Sequence, residues 1–181
     1  KGHPAMITRL TAAAGLLALS TGLALAQTPT ATPAEPATKA DSNMKEWQVA
    51  KVAKVGLAQA LATAESQGDE KGGRAIDADF EKADSKDPAH YAIKVVYPSG
   101  KLVEYGINAD TGALYKTENQ PIERYFTRLK ASDFQNAKTP LKDALAIAEQ
   151  KAGGGKAYEA EVEKDGSTVQ YEIKVAGADK E

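Results

Sequence analysis

The chain has 181 residues, a formal net charge of −2, 27% charged and 42% hydrophobic residues, and no cysteine. The lack of cysteine excludes disulfide staples and thiolate zinc sites. A near-neutral balance with no Lys/Arg cluster excludes nucleic acid as the main partner, because phosphate neutralisation needs clustered positive charge.

Lys1 to Ala5 precede Met6, the expected start, and read as a tag remnant, so His3 carries no weight. Residues 6–26 read as a secretory signal: Arg9 is the positive n-region, Leu10 to Leu25 is apolar, and Ala24-Leu-Ala26 offers a small-x-small cleavage site. Its removal takes away Lys1 and Arg9 and no acid, leaving a net charge of −4. Gly15, Ser20, Thr21 and Gly22 dilute a stretch already short for a membrane span, so no transmembrane segment is expected in the mature chain. Residues 27–44 include TPTATPAEPATKA, an extended disordered tether of the polyproline type.

From there the chain repeats itself. Leu57-Ala-Gln-Ala-Leu-Ala-Thr-Ala-Glu65 returns as Leu141-Lys-Asp-Ala-Leu-Ala-Ile-Ala-Glu149, Gly72 to Lys82 returns as Gly154 to Lys164, and Tyr91-Ala-Ile-Lys-Val95 returns as Tyr171-Glu-Ile-Lys-Val175. The offset falls from 84 to 82 to 80, with the losses between elements where loop deletions are tolerated. Such a long period indicates two copies of one small domain.

Each copy opens with a helix. Leu57, Leu61 and Ala64, and Leu141, Leu145, Ala148 and Ala152, recur at helical spacing. Thr139-Pro140 reads as a capped helix start, and Gly153-Gly-Gly155 as its end. Val49, Val52 and Val55 either extend the first helix or form an irregular lead-in. Strands follow with period two: Ile76, Ala78 and Phe80 against Asp77, Asp79 and Glu81, then Tyr91, Ile93, Val95 and Tyr97 on one side of the next. Pro98-Ser-Gly-Lys101 is a tight turn into a third strand, Leu102 to Ile107, and Asn108 to Gly112 is a turn that closes the sheet.

The expected fold class is therefore α+β, with two tandem copies of a helix packed on an antiparallel three-stranded sheet. The copies span 45–117 and 139–181, joined by an amphipathic bridge, 118–138, in which Ile122, Tyr125, Phe126 and Leu129 have helical spacing. The second copy has no counterpart to Leu102–Leu114, so either the native chain continues or another segment completes its sheet. Its unpaired edge at Tyr171 to Val175 would admit a partner strand or a second copy, giving self-association.

The Ala-rich helix ending in Glu, the Gly-Gly-Arg/Lys entry to strand one, Tyr-x-Ile-Lys-Val and the Asp110-Thr-Gly112 turn together resemble the PepSY domain, over about 55–116 and again about 139–181. The resemblance implies a helix-plus-sheet module of metalloprotease propeptides and exported bacterial proteins. Its implied work is inhibitory or regulatory contact with a protease or another envelope protein, in the periplasm or outside the cell. Some exported members with paired domains are linked to lanthanides.

Two sets of residues are candidates for function. Asp77, Asp79 and Glu81 match Glu159, Glu161 and Glu163, the one functional group enriched in both copies. Hard cations such as Ca²⁺ want about six to eight oxygens, and lanthanides a similar shell. Alternate strand residues stand about 6.6 Å apart, so three acids in a row need help from Asp84, Asp87, Glu104 or Glu172. Lys82 and Pro88 occupy the sixth and twelfth positions of the calcium-loop spacing, which excludes an EF-hand. The plainer reading is a solvated face paired with Lys94 and Lys174. The second set lies in the bridge: Arg124, Tyr125, Phe126, Arg128 and Phe134 are residue types that anchor protein interfaces, or else pack between the domains. Trp47 reads as core filling. His90, the single histidine of the mature chain, reads as a surface residue at the sheet rim. No nucleophile elbow or phosphate loop is present, so the expectation is a non-catalytic exported binding protein, with a Ca²⁺- or lanthanide-binding protein as the alternative.

Overall fold

The computed structural model describes residues 43–177, all within one compact unit. The tag, the signal, all but the last two residues of the tether and the last four residues of the chain lie outside the described residues. The elements in order are α1 (Glu46–Val52), α2 (Leu57–Glu65), β1 (Arg74–Glu81), β2 (His90–Val96), β3 (Leu102–Asn108), β4 (Leu114–Asn119), α3 (Leu141–Lys151), β5 (Lys156–Asp165) and β6 (Thr168–Ala176), with 3₁₀ turns at Glu123–Tyr125 and Ala131–Asn136 between β4 and α3. None of the described helices is long and apolar enough to cross a membrane.

The strands form one six-stranded antiparallel sheet, ordered β4-β3-β2-β1-β5-β6. The expectation was a three-stranded sheet for each copy, the second lacking its third strand; the strands instead share one sheet, four from the first segment and two from the second. A three-stranded unit leaves the outer edge of its first strand with unpaired N–H and C=O groups, and β1 and β5 join their edges through Asp77–Glu161 and Ala78–Ala160. The second hairpin is thus extended on its first-strand side, through β1. In that pairing Ala78 lies opposite Ala160 and Asp77 opposite Glu161. Ala78 and Ala160 are also partners in the sequence match.

The same local devices recur on either side of this pair. Glu65 at the end of α2 accepts a hydrogen bond from the Ala75 N–H at 2.8 Å, and Glu149 at the end of α3 accepts one from the Ala157 N–H at 2.9 Å. Each bond ties a helix C-terminus to the first residues of the next strand. β1 is bulged between Ala75 and Asp77, and β5 between Ala157 and Glu159. The Tyr91 hydroxyl donates to the Val55 carbonyl, and the Tyr171 hydroxyl to the Thr139 carbonyl, each 2.9 Å, pinning the chain just ahead of the helix. Pro140 rather than Thr139 is the N-cap residue, and no side-chain cap bond forms there; the Thr139 carbonyl is occupied by tyrosine instead.

Leu57, Leu61, Ala78, Phe80, Tyr91, Ile93, Val95, Leu145 and Ala160 belong to one continuous core. Trp47 packs against it. α1 is a separate short helix, since Ala53 leaves the helical conformation with ψ 140° and Val52 stays exposed. β4 was not legible as a strand: Leu114–Asn119 is largely polar and mostly exposed, as suits an edge. The Asn108–Gly112 turn leads into β4 rather than closing the sheet. Gly106 on β3 is what seats β4, because a Cβ there would lie 2.5 Å from the Tyr115 ring.

The bridge forms no amphipathic helix. Between Pro121 and Leu129 only one 3₁₀ turn, Glu123–Tyr125, forms, so the helical spacing of Ile122, Tyr125, Phe126 and Leu129 is not realised. Leu129 is buried, while Ile122, Tyr125 and Phe126 stand in solvent instead of packing between the halves.

Candidate functional site

Strand alternation sends Ala78, Ile93 and Ala160 into the core and leaves the acids of β1 and β5 on the opposite face. Asp77, Asp79, Glu159 and Glu161 gather around the Ala78–Ala160 pair. Two lysines of the neighbouring strands answer them: Lys94 Nζ lies 3.1 Å from Asp77, and Lys174 Nζ 2.7 Å from Glu159. These are the cross-strand pairs expected of a solvated face. Asp79 carries the strain of this crowding. Burial, with Asp77 and Glu159 nearby, raises its carboxyl from 3.8 to about 6.

The remaining sequence candidates are dispersed. Glu81 is 3.4 Å from His90 Nε2. Asp84 closes its own loop by accepting the N–H groups of Lys86 and Asp87 at 2.7 and 2.8 Å, which holds it below the usual carboxylate range. Glu104 meets Gln120 at 3.3 Å and is shifted upward by burial. Glu163 faces Gln170, and Glu172 faces Glu161 across β5 and β6. Among the described residues no three Asp, Glu or His side chains converge as a metal-holding group. The helpers named for the β1 acids, Asp84, Asp87, Glu104 and Glu172, therefore do not join them in a shell.

His90 corrects the sequence reading. It is 3% exposed, with Nδ1 2.8 Å from the Pro88 carbonyl and its ring edge-on to Tyr115 at 5.0 Å. β4, unseen in the sequence, is what covers it.

The bridge residues divide. Ile122, Tyr125 and Phe126, on and beside the turn Glu123–Tyr125, are 71, 77 and 78% exposed. Arg124 lies over the Tyr125 ring at 5.1 Å, and Arg128 is also exposed. Two anchors hold the turn: Glu123 reaches Lys94 at 3.2 Å, so the β1 acids and the turn share one lysine, and Leu129 is buried behind it. Phe134 belongs elsewhere. It packs against the core beside Leu61, Leu141 and Tyr171, and is not part of the exposed cluster. Sequence reasoning missed the role of Glu123; its position between a proline and an aromatic pair gave no sign of the long-range lysine.

No curated protein and no solved structure matches this chain. The family model described as peptidase propeptide and YPEB domain, PepSY, matches residues 54–118. A PepSY domain is therefore present from the lead-in of α2 through β4, the element β4 included.

Proposed function

We propose that this is a non-catalytic exported binding protein that inhibits or regulates a protease or another envelope protein, in the periplasm or outside the cell, and that its second half, from Thr139 onward, is a divergent copy of the PepSY domain. The observation that carries the binding role is the cluster Ile122, Tyr125 and Phe126, 71 to 78% exposed on a turn held by Glu123–Lys94 and Leu129. Adjacent large apolar side chains on a tethered turn, flanked by Arg124 and Arg128, suit an interface anchor. The four matched contacts of the halves, together with the sequence repeat, support the second-copy reading. The test adds the full chain in excess to a mature secreted metalloprotease. Slowed peptide hydrolysis that recovers with Tyr125→Ala and Phe126→Ala supports the role; unchanged hydrolysis and no co-sedimenting complex contradict it.

The acid face supports a second reading, capture of Ca²⁺ or a lanthanide ion. It rests on Asp77, Asp79, Glu159 and Glu161 sharing one face of the adjacent strands β1 and β5, with Asp79 raised to about 6; because no three of the described acids converge, the ion would have to draw them together. A cation would replace the Asp79 proton, so binding should weaken from pH 7.5 to pH 5. Calorimetric titration with Ca²⁺ and La³⁺, on the native chain and on Asp77→Asn/Asp79→Asn/Glu81→Gln, decides it: heats equal to buffer dilution reject this reading.

A further inference from the structure

Arg74 and Lys156 hold the same place in the sequence match, but the fold closes with only one of them. Lys156 Nζ donates to the carbonyl of Ala53, which ends α1 four residues ahead of α2. On that side Leu57 and Tyr91 are 1 and 0% exposed. Ala137 stands in the corresponding position, ending the 3₁₀ turn Ala131–Asn136 four residues ahead of α3. Arg74 does not bond to it. Its guanidinium donates back to the Gly73 carbonyl at 3.0 Å, and Arg74 and Ala137 instead line a cavity of about 330 Å³, together with Leu141 and Tyr171, the matches of Leu57 and Tyr91. The rest of the wall is largely apolar, with Ala58 and Leu61 of α2 and Phe134. Two cations, Arg74 and Lys142, share it with one acid, Glu65, whose carboxylate already accepts the Ala75 N–H. Among the described residues neither Arg74 nor Lys142 makes an ion pair. Arg74 and Phe134 also border a second hollow of about 490 Å³, which carries Lys130, Ser99 and Ser132.

We propose that this cavity binds a small amphipathic carboxylate, with its apolar body between α2 and α3 and its anionic head on Arg74. Arginine presents a planar fork of donors that matches a carboxylate with two parallel hydrogen bonds. A head at Arg74 lies at the border of the two hollows, where Lys142 lines the first and Lys130, Ser99 and Ser132 the second. The excess of cations over free acids sets the sign of the ligand, and the apolar wall sets its body. A peptide strand suits the site less. The Ala75 N–H, which an added strand would need, is already bonded to Glu65, and the volume stands at the low end of small-molecule pockets, about 300 to 1,000 Å³. None of the residues that carry the regulatory reading lines this cavity, so the inference does not depend on it.

The test titrates the ¹⁵N-labelled full chain with sodium octanoate and follows the backbone amide shifts. Binding should saturate with a Kd on the order of 0.1 to 1 mM, with the largest shifts at Leu61, Ala75 and Leu141. Butanoate should bind more weakly by at least about tenfold, since its shorter body leaves the apolar wall uncovered. Octan-1-ol should bind about tenfold more weakly than octanoate, because it lacks the charge that Arg74 pairs. Arg74→Gln should weaken octanoate by about tenfold and leave octan-1-ol unchanged, which a general loss of structure would not do. Ala62→Trp, at an exposed residue of the cavity wall, should abolish both with an unchanged circular dichroism spectrum. No saturation by about 10 mM, octan-1-ol as tight as octanoate, unchanged octanoate affinity in Arg74→Gln, or shifts confined to the turn Glu123–Tyr125 would each overturn the proposal. A capped acidic tripeptide that competes more tightly than octanoate would overturn it in favour of a protein segment.

Discussion

Tyr91-Ala-Ile-Lys-Val95 and Tyr171-Glu-Ile-Lys-Val175 differ in one residue, yet the first row of apolar side chains is sealed and the second lies half open. Alternation dictates which face each residue takes, and the neighbouring strand dictates how far it is buried. The β2 row has β3 beside it and α2 spanning three strands, while among the described residues the β6 row is at the end of the sheet. Sequence identity therefore does not carry energetic equivalence between the halves.

The comparison breaks most directly by truncating its central residue. Ile93→Ala should cost about 3 kcal/mol and Ile173→Ala about 1 kcal/mol, since cavity cost scales with enclosure. Urea unfolding of the two variants measures this, and equal losses would mean that the β6 edge is covered in solution. The sharpest contrast to that asymmetry is a symmetric pair. Glu65→Ala and Glu149→Ala each remove a helix-to-strand hydrogen bond of nearly the same length, so each should cost about 1 to 2 kcal/mol. A large difference between them would place one of these bonds in a weaker setting than its geometry indicates.

The β1–β5 seam at Ala78–Ala160 supplies a pH-dependent prediction. Asp79 keeps its proton in the folded protein up to about pH 6, but loses it near 3.8 when unfolded. Stability therefore falls as pH rises between these values, and below both no difference remains. Asp79→Asn should raise stability at pH 7 by about 1 kcal/mol, after discounting for the half-exposed carboxyl, and change nothing at pH 3. Denaturation midpoints at the two pH values check it. The smallest effect belongs to the exposed turn: Phe126→Ala should shift stability by less than about 0.5 kcal/mol while reducing protease inhibition, separating a surface anchor from a core residue.

Much of this molecule was readable in residue order. The α+β class, the helices at Leu57 and Leu141 and the strands around Ile76, Tyr91 and Leu102 follow from period and turn chemistry, which are local. Three features depended on contacts between distant segments and were not readable. β4 has little apolar pattern of its own and exists because Gly106 admits Tyr115. The merger of two hairpins into one sheet needs β1 and β5 to meet across a gap of more than 70 residues, a pairing that leaves no local signature. The bridge has helical spacing, yet it forms a short turn tied to the sheet by the Glu123–Lys94 ion pair, with its aromatics outward. The acids illustrate the same limit at the site: alternation gave their shared face, and only the β1–β5 register brought Asp79 up against Glu159.

Amide hydrogen exchange on the full chain, resolved by residue, tests the open-edge account most directly. In β2 both edges are hydrogen-bonded, so the Tyr91–Val95 amides should all be slow. In β6 the amides bonded to β5 should be slow and the alternate ones, facing outward, fast. Uniform protection along Thr168–Ala176 would contradict the account, because it would require a strand already paired to that edge.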